Sequence, residues 1–209
     1  SSHGLAQGRT RNCRYRAGIV TNLTHEHLEF HGTFEAYRAA KALLVEEAPL
    51  AVLNRDDASF GFFRERARDR VISYGTHADA DVRATLVSAR PDGSTVDVAA
   101  PGWSGRLEIP LVGGFNVENA LAAFAYAIGR GIDPEVARAA FTTARSVAGR
   151  MEPIDEGQPF GVVVDYAHSP DALDKVLRIL RPITSGRLGV LFGSGGERDT
   201  AKRPVMGRI

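Results

Sequence analysis

Between residues 17 and 74, short aliphatic runs alternate with stretches of helical period, and that rhythm restricts the fold more than any other feature of the chain. Residues 17–22, 50–54 and 71–74 read as buried strands. The segment between the first two opens on Thr33, a residue suited to N-capping, and continues to about residue 46 with Phe34, Tyr37, Lys41 and Leu44 on one face. Asp56 or Asp57 opens a second helix to about residue 68. A β-α-β-α-β succession predicts a parallel sheet, because parallel neighbours need a crossover and the crossover helix must bury its apolar stripe on the sheet.

Residues 81–109 have a different texture. Alternating strand patterns are punctuated by Pro91-Asp92-Gly93 and Pro101-Gly102, which predicts an antiparallel meander at one sheet edge. A helix follows over residues 116–130, with Val117, Leu121, Phe124 and Ile128 in period and Gly131 as its stop. Asp133 with Pro134 opens another. Residues 145–157 lack apolar period and carry turn formers, so they read as a linker. The alternation then restarts: a strand over 160–165, a helix opened by Ser169-Pro170 and ending before Pro182, a strand over 187–192, and a glycine-rich loop into a helix start. The reading is an α/β protein of two units, 1–150 and 151–209, joined by a hinge.

A chain with 44% hydrophobic and 24% charged residues has the apolar content to cover such sheets and is neither disordered nor collagen-like. Twenty-six basic against 25 acidic residues leave a net charge of +1, which gives no field to steer a nucleic acid. One cysteine, Cys13, excludes a disulfide framework and a cysteine-based zinc site, and suits a reducing, cytoplasmic compartment. No apolar run approaches the roughly 18 residues of a membrane helix, and no signal peptide is visible. The start at Ser1 and the helix-like finish lead to the expectation of an internal segment of a larger protein.

Five stretches carry chemistry. Residues 21–32, TNLTHEHLEFHG, follow a strand directly, where α/β proteins bind ligands. His25, His27 and His31 among two glutamates suit a divalent metal or a hydrogen-bonded polar loop, and both readings stay open. Lys41 occupies a core position of its helix, so it snorkels, pairs with an acid or does chemistry. GGFNVENALAA places Asn116 as a cap and Asn119 in the first turn, where an amide could read a ligand edge. VDYAHSPD puts Asp165 at a strand end and His168 beside a helix start; the acid suits ribose hydroxyls or a local cap. GSGGERDTAKRPVMG is a glycine-rich strand-to-helix loop with Arg198, Lys202 and Arg203, suited to an anion or to simple solvation. The GxxxxGK[ST] spacing of a P-loop does not occur in these residues.

Taken in order, SSHGLAQGR, TNLTHEHLEFHGT, YRAAKALL, GGFNVENALAA, GRME, VDYAHSPD and GSGGERDTAKRPVMG resemble the signatures of the Mur ligases, in particular the MurE type of peptidoglycan synthesis. The resemblance implies the later part of a central ATPase domain, mainly a parallel sheet with an antiparallel edge, followed by the first part of a Rossmann-like C-terminal domain. It implies ATP and Mg2+ as cofactors, and a UDP-muramoyl-dipeptide and a diamino acid (meso-diaminopimelate or L-lysine) as substrates. ATP would activate a substrate carboxylate as an acyl phosphate, and an amine would displace the phosphate. No nucleic acid, membrane or obligate protein partner is implied.

Residue by residue, the resemblance makes His27 a metal ligand and Lys41 a lysine carboxylated by carbon dioxide that also faces the metal. It places Ser1, Gln7 and Arg9 on the UDP-linked substrate. Asn116, Asn119, Arg150, Asp165 and His168 fall on the nucleotide, with Asp165 on the ribose, and Arg198 and Lys202 on the substrate side. Glu26, Ser194 and Glu197 depart from the usual Asp, Cys and Asp of the family. Cyanophycin synthetase and folylpolyglutamate synthase share the DxAHxP neighbourhood of this stretch and are the alternatives within amide-forming ATPases. A non-catalytic remnant and a metal-dependent hydrolase built on HEHLEFH are the alternatives outside them.

Overall fold

A computed structural model describes residues 1–24, 28–90, 93–193, 200 and 202–209. Its elements in chain order are α1 (Ser2–Ala6), β1 (Gly18–Val20), α2 (Leu28–His31), α3 (Phe34–Glu47), β2 (Leu50–Asn54), α4 (Phe60–Arg66), β3 (Arg70–Gly75) and β4 (Val82–Arg90). They continue with β5 (Gly93–Ala100), β6 (Trp103–Ile109), α5 (Gly114–Gly129), α6 (Pro134–Phe141), β7 (Glu152–Ile154), β8 (Val162–Val164), α7 (Pro170–Leu180) and α8 (Lys202–Met206).

Six strands form one sheet in the order β1-β2-β3-β4-β5-β6. Pairs β1-β2, β2-β3 and β3-β4 are parallel, and β4-β5 and β5-β6 are antiparallel, so the meander is the sheet's edge as its turn residues predict. β2 lies inside this sheet and is buried along its whole length. Its pleat divides the core: Leu50 and Val52 pack with α5 and the meander, while Ala51 and Leu53 pack with Ala42 and Val45 of α3 and Phe63 of α4. Each such side chain removed from water contributes about 1.5–3 kcal/mol, which is why a run without polar relief reads as a central strand. Thr33 Oγ1 accepts from the Ala36 N–H at 3.1 Å and starts α3 as its sequence predicts. Gly18 lets that helix close on β1, since a Cβ there would stand 3.0 Å from the Leu44 carbonyl oxygen.

Several boundaries differ from the sequence reading. Asp56 and Asp57 do not cap α4, which starts at Phe60; their carboxylates bond elsewhere. Asn116 does not cap α5, whose N-cap is Gly113; the Asn116 amide instead donates to the Val112 carbonyl at 2.9 Å. The stretch 145–157 is not all linker: β7 lies within it and pairs antiparallel with β8. Residues 187–192 form no ladder among the described residues, and Leu191 is fully exposed at 100%. An apolar run becomes a strand only where a neighbour offers hydrogen bonds, and none reaches this one. In this second unit Ser169 caps α7 through the Ala172 N–H, and Met151, Leu173 and Met206 are buried.

Candidate functional site

The carboxyl ends of β1, β2 and β3 converge on one side of the sheet, the side where parallel sheets bind ligands. Beside β1 lies a small cavity of about 190 Å3, bordered by Ser1, Ser2, Ile19, Thr21, Lys41 and Leu44. Ser1 stands there because it caps α1, its Oγ accepting from the Gly4 N–H at 3.2 Å. Lys41 enters from α3. It is half-buried, not in the core as the helix pattern predicts, because the buried residues of α3 are Tyr37, Ala40, Ala42 and Val45. Lys41 and Leu44 flank that stripe, and Nζ lies 5.4 Å from the Tyr37 ring centroid, a placement that suits a cation. Gln7 and Arg9, at the other end of α1, are exposed and do not border this cavity; Gln7 lines a separate cleft with Leu43 and Glu47.

The turn after β2 supplies residues that the sequence reading missed. Asn54 is buried, and its amide donates to the Thr21 carbonyl at 2.8 Å while its Oδ1 accepts from the Asp56 N–H at 2.9 Å. Asp57 Oδ2 accepts from the Leu23 N–H at 2.8 Å, and Oδ1 accepts from the Ser59 N–H at 2.7 Å. Asp56 reaches the other way: its carboxylate accepts from the Thr76 N–H at 2.6 Å, the Thr76 hydroxyl at 2.9 Å and the His77 N–H at 2.9 Å. One four-residue turn thus ties the exit of β1 to the exit of β3. The signal was legible in principle, since VLNRDD places polar residues directly at a strand's carboxyl end.

These bonds set the local electrostatics. Burial draws the Asp56 pKa up, but the donors from Thr76 and His77 outweigh it and the net shift is downward. Glu118 of α5 is shifted upward by burial and then by the charge of Asp56. Tyr74 is fully buried and shifted upward by burial, then by Glu118, Asp57 and Asp56. Burial and these negative charges all favour its neutral phenol.

A second group of candidate residues gathers at the junction with β7 and β8. Asp165 Oδ2 accepts from the Met151 N–H at 2.9 Å, and Oδ1 accepts from the Ala167 N–H at 2.8 Å. The Arg150 guanidinium stacks 4.6 Å over the Tyr166 ring. His168 Nδ1 lies 3.0 Å from the Tyr166 carbonyl, and Lys202 Nζ donates to the His168 carbonyl at 2.9 Å. Asn116 and Asn119 meet at the start of α5, the Asn119 amide donating to Asn116 Oδ1 at 3.4 Å. Among the described residues no hydrogen bond joins this asparagine pair to Asp165. The two units touch nearby, because a Cβ on Gly113 would stand 3.2 Å from Ile179 of α7.

His25, Glu26, His27, Ser194, Glu197 and Arg198 lie outside the described residues. His31 packs in an aromatic group, 5.5 Å from the His3 ring, 4.8 Å from Phe30 and 5.4 Å from Tyr37. Among the described residues no three His, Cys, Asp or Glu side chains gather as metal ligands. A cleft of about 580 Å3 lies apart from these residues against β7, β8 and residues 183–189. Its walls combine Pro153, Ile154, Val162 and Leu180 with Asp155, Gln158 and Arg187, and contain none of the candidate side chains.

Residues 1–127 match the model of the Mur ligase middle domain, and residues 149–209 match that of the Mur ligase, glutamate ligase domain. The chain belongs to the Mur ligase family. A UDP-N-acetylmuramoyl-L-alanyl-D-glutamate--2,6-diaminopimelate ligase of Bacillus licheniformis is 42% identical over 218 residues, covering 100% of this chain and 45% of that protein. A ligase of the same name from Thermosynechococcus vestitus is 45% identical over 216 residues, covering 100% of this chain and 43% of its own. A solved structure of a ligase so named superposes with a TM-score of 0.80 at 37% identity, over 100% of this chain and 44% of that one. MurF from Acinetobacter baumannii, at 22% identity and a TM-score of 0.71 over 80% of this chain and 38% of that one, shares the fold. The chain spans less than half the length of the relatives it matches. No described helix of this Mur ligase segment is long and apolar enough to cross a membrane.

Proposed function

We propose that the protein containing this segment is a cytoplasmic ATP-dependent ligase that joins a diamino acid to UDP-N-acetylmuramoyl-L-alanyl-D-glutamate in peptidoglycan synthesis. The observation that carries the proposal is similarity over the whole of this chain, at 42% identity, to 45% of a protein named UDP-N-acetylmuramoyl-L-alanyl-D-glutamate--2,6-diaminopimelate ligase. Residues 1–150 are read as the later part of the central domain and 151–209 as the start of the C-terminal domain.

In this reading ATP supplies the phosphoryl group that activates the substrate carboxylate, Mg2+ neutralises phosphate charge, and an incoming amine displaces phosphate. The chain's own residues bind and orient. Lys41 lines the cavity shared with Ser1 and Thr21, and carboxylation would convert that cation into an anion suited to holding a metal. His27 is its proposed companion. Ser1, Gln7 and Arg9 hold the UDP-linked substrate, and Arg198 and Lys202 face the incoming amino acid. Asn116, Asn119, Arg150, Asp165 and His168 hold the nucleotide, with closure of the units around residues 145–151 excluding water from the activated carboxylate.

The test is ligation by the full-length protein with ATP, the UDP-muramoyl-dipeptide and either diaminopimelate or lysine, read as phosphate release and tripeptide mass. Tripeptide with one diamino acid supports the reading. Phosphate release only with a folate or a cyanophycin primer overturns it.

A further inference from the structure

Thr21 forms a wall of the Lys41 cavity, yet it lies one residue beyond the last ladder residue of β1. Backbone past the end of a strand is held by whatever side chains reach it. Here two do, and both come from one turn. Asn54 donates to the Thr21 carbonyl and Asp57 accepts from the Leu23 N–H, across 33 and 34 residues of chain. The turn that holds them is itself stiff. The Asp56 N–H closes on Asn54 Oδ1, the Ser59 N–H closes on Asp57 Oδ1, and both Asn54 and Ser59 are buried. Asn54 is also the last residue of a strand buried along its whole length, so its donor starts from a rigid support.

We propose that Asn54 and Asp57 are positioning residues: they fix residues 21–23 against the Lys41 cavity. Neither borders the cavity, so neither is catalytic; each acts through backbone it holds. This rests on the ligase reading above only for its kinetic consequence, since the clamp itself is a property of the fold. A plain stabilising role would spread its effect over β2 and β3. A positioning role concentrates it on residues 21–24.

The experiment compares the full-length enzyme with Asp57→Ala, Asp57→Asn and Asn54→Ala, by hydrogen exchange and by ligation kinetics. Each alanine variant is expected to speed exchange of amides 21–24 about tenfold, as that segment loses one hydrogen bond, with residues 50–53 of β2 and the β3 peptide unchanged. Asp57→Asn retains one acceptor oxygen and is expected to fall between. In ligation, kcat is expected to fall by about 10–100-fold with KM for ATP little changed, because the loss is one of placement. Unchanged exchange at residues 21–24 overturns the clamp. Equally faster exchange throughout β2 and β3, or unchanged kcat with faster exchange at 21–24, overturns the positioning role. A wild-type protein without ligation overturns the ligase reading, and the exchange measurement then decides the clamp alone.

Discussion

The Met151 backbone N–H donates to Asp165 Oδ2 at 2.9 Å, which fastens the entry of β7 to the exit of β8. Met151 is 1% exposed and holds a positive φ of 45°, a conformation that methionine rarely adopts unless its surroundings require it. The carboxylate that the sequence marks for a ribose is therefore also a structural acceptor, bonded through both oxygens. Asp165→Ala should destabilise the second unit by about 1–3 kcal/mol, since two backbone donors lose their partner. Urea denaturation without nucleotide checks this. ATP affinity lost beyond that deficit would measure the ribose contact separately.

Gly75 and Asp56 make a second such pair. Gly75 has φ +153, and a Cβ there would stand 2.7 Å from Asp56 Oδ1. Gly75→Ala should therefore cost about 1–3 kcal/mol by displacing the carboxylate from Thr76 and His77. Because both residues belong to one contact, Gly75→Ala and Asp56→Ala together should cost less than the sum of the two. Additive losses in a double-mutant cycle would show that the glycine is required for its backbone alone.

Asp56 and Glu118 should give the stability of the protein opposite pH dependences. The folded Asp56 pKa is lowered, so its contribution to stability is present above about pH 4 and is lost as pH falls through the folded value. The folded Glu118 pKa is raised by burial and the Asp56 charge, so its contribution is present below about pH 4 and is lost as pH rises through the folded value. Asp56→Asn should narrow the stability gap to wild type as the solution is acidified. Glu118→Gln should gain on wild type above the window, by less than about 1 kcal/mol because this surface is solvent-screened. Urea midpoints measured from pH 3 to 7 check both signs.

The sheet was legible because its signals are local. LAVLN is five apolar-to-amide residues with no period-3.6 relief, and β2 is that segment to the residue. Asp133-Pro134 likewise names the start of α6, where Asp133 Oδ1 accepts from the Glu135 N–H at 2.8 Å. The misreadings have a shared cause. Asn116, Asp56 and Asp57 were assigned to the nearest helix, whereas their bonds go to Val112, Thr76 and Leu23. A cap is chosen by competition among acceptors, and for Asp56 and Asp57 the winning partners are distant in sequence. Residues 187–192 failed for the same reason, since a strand's partner is never written in the strand itself. The spacing that puts Lys41 on the core stripe misleads as well, since Lys41 flanks the buried residues Tyr37, Ala40, Ala42 and Val45, and its depth depends on how α3 rolls on the sheet.

The 209-residue segment alone should neither ligate nor hydrolyse ATP at a useful rate. It holds no GxxxxGK[ST] cradle, and phosphoryl transfer depends on donors placed where charge develops. Phosphate release by the isolated segment, corrected for a Lys41→Ala control, checks this.

Lys41 gives the most discriminating variant. Its Nζ lies 5.4 Å from the Tyr37 ring centroid, and the residue lines a cavity with Ser1 and Thr21. A carbamate forms when the neutral amine attacks carbon dioxide and loses a proton, so the cation must first give up its proton and its contact with the ring. Lys41→Ala in the full-length enzyme should lose most ligation while folding normally, because alanine is the best helix former and the position is half-buried. Lys41→Arg should not restore activity, since a guanidinium stays positive and cannot be carboxylated. Formate or acetate should partly restore the alanine variant by placing a carboxylate in the vacated space. Ligation by Lys41→Arg near the wild-type rate would reduce the lysine to a helix residue with a snorkelling amine.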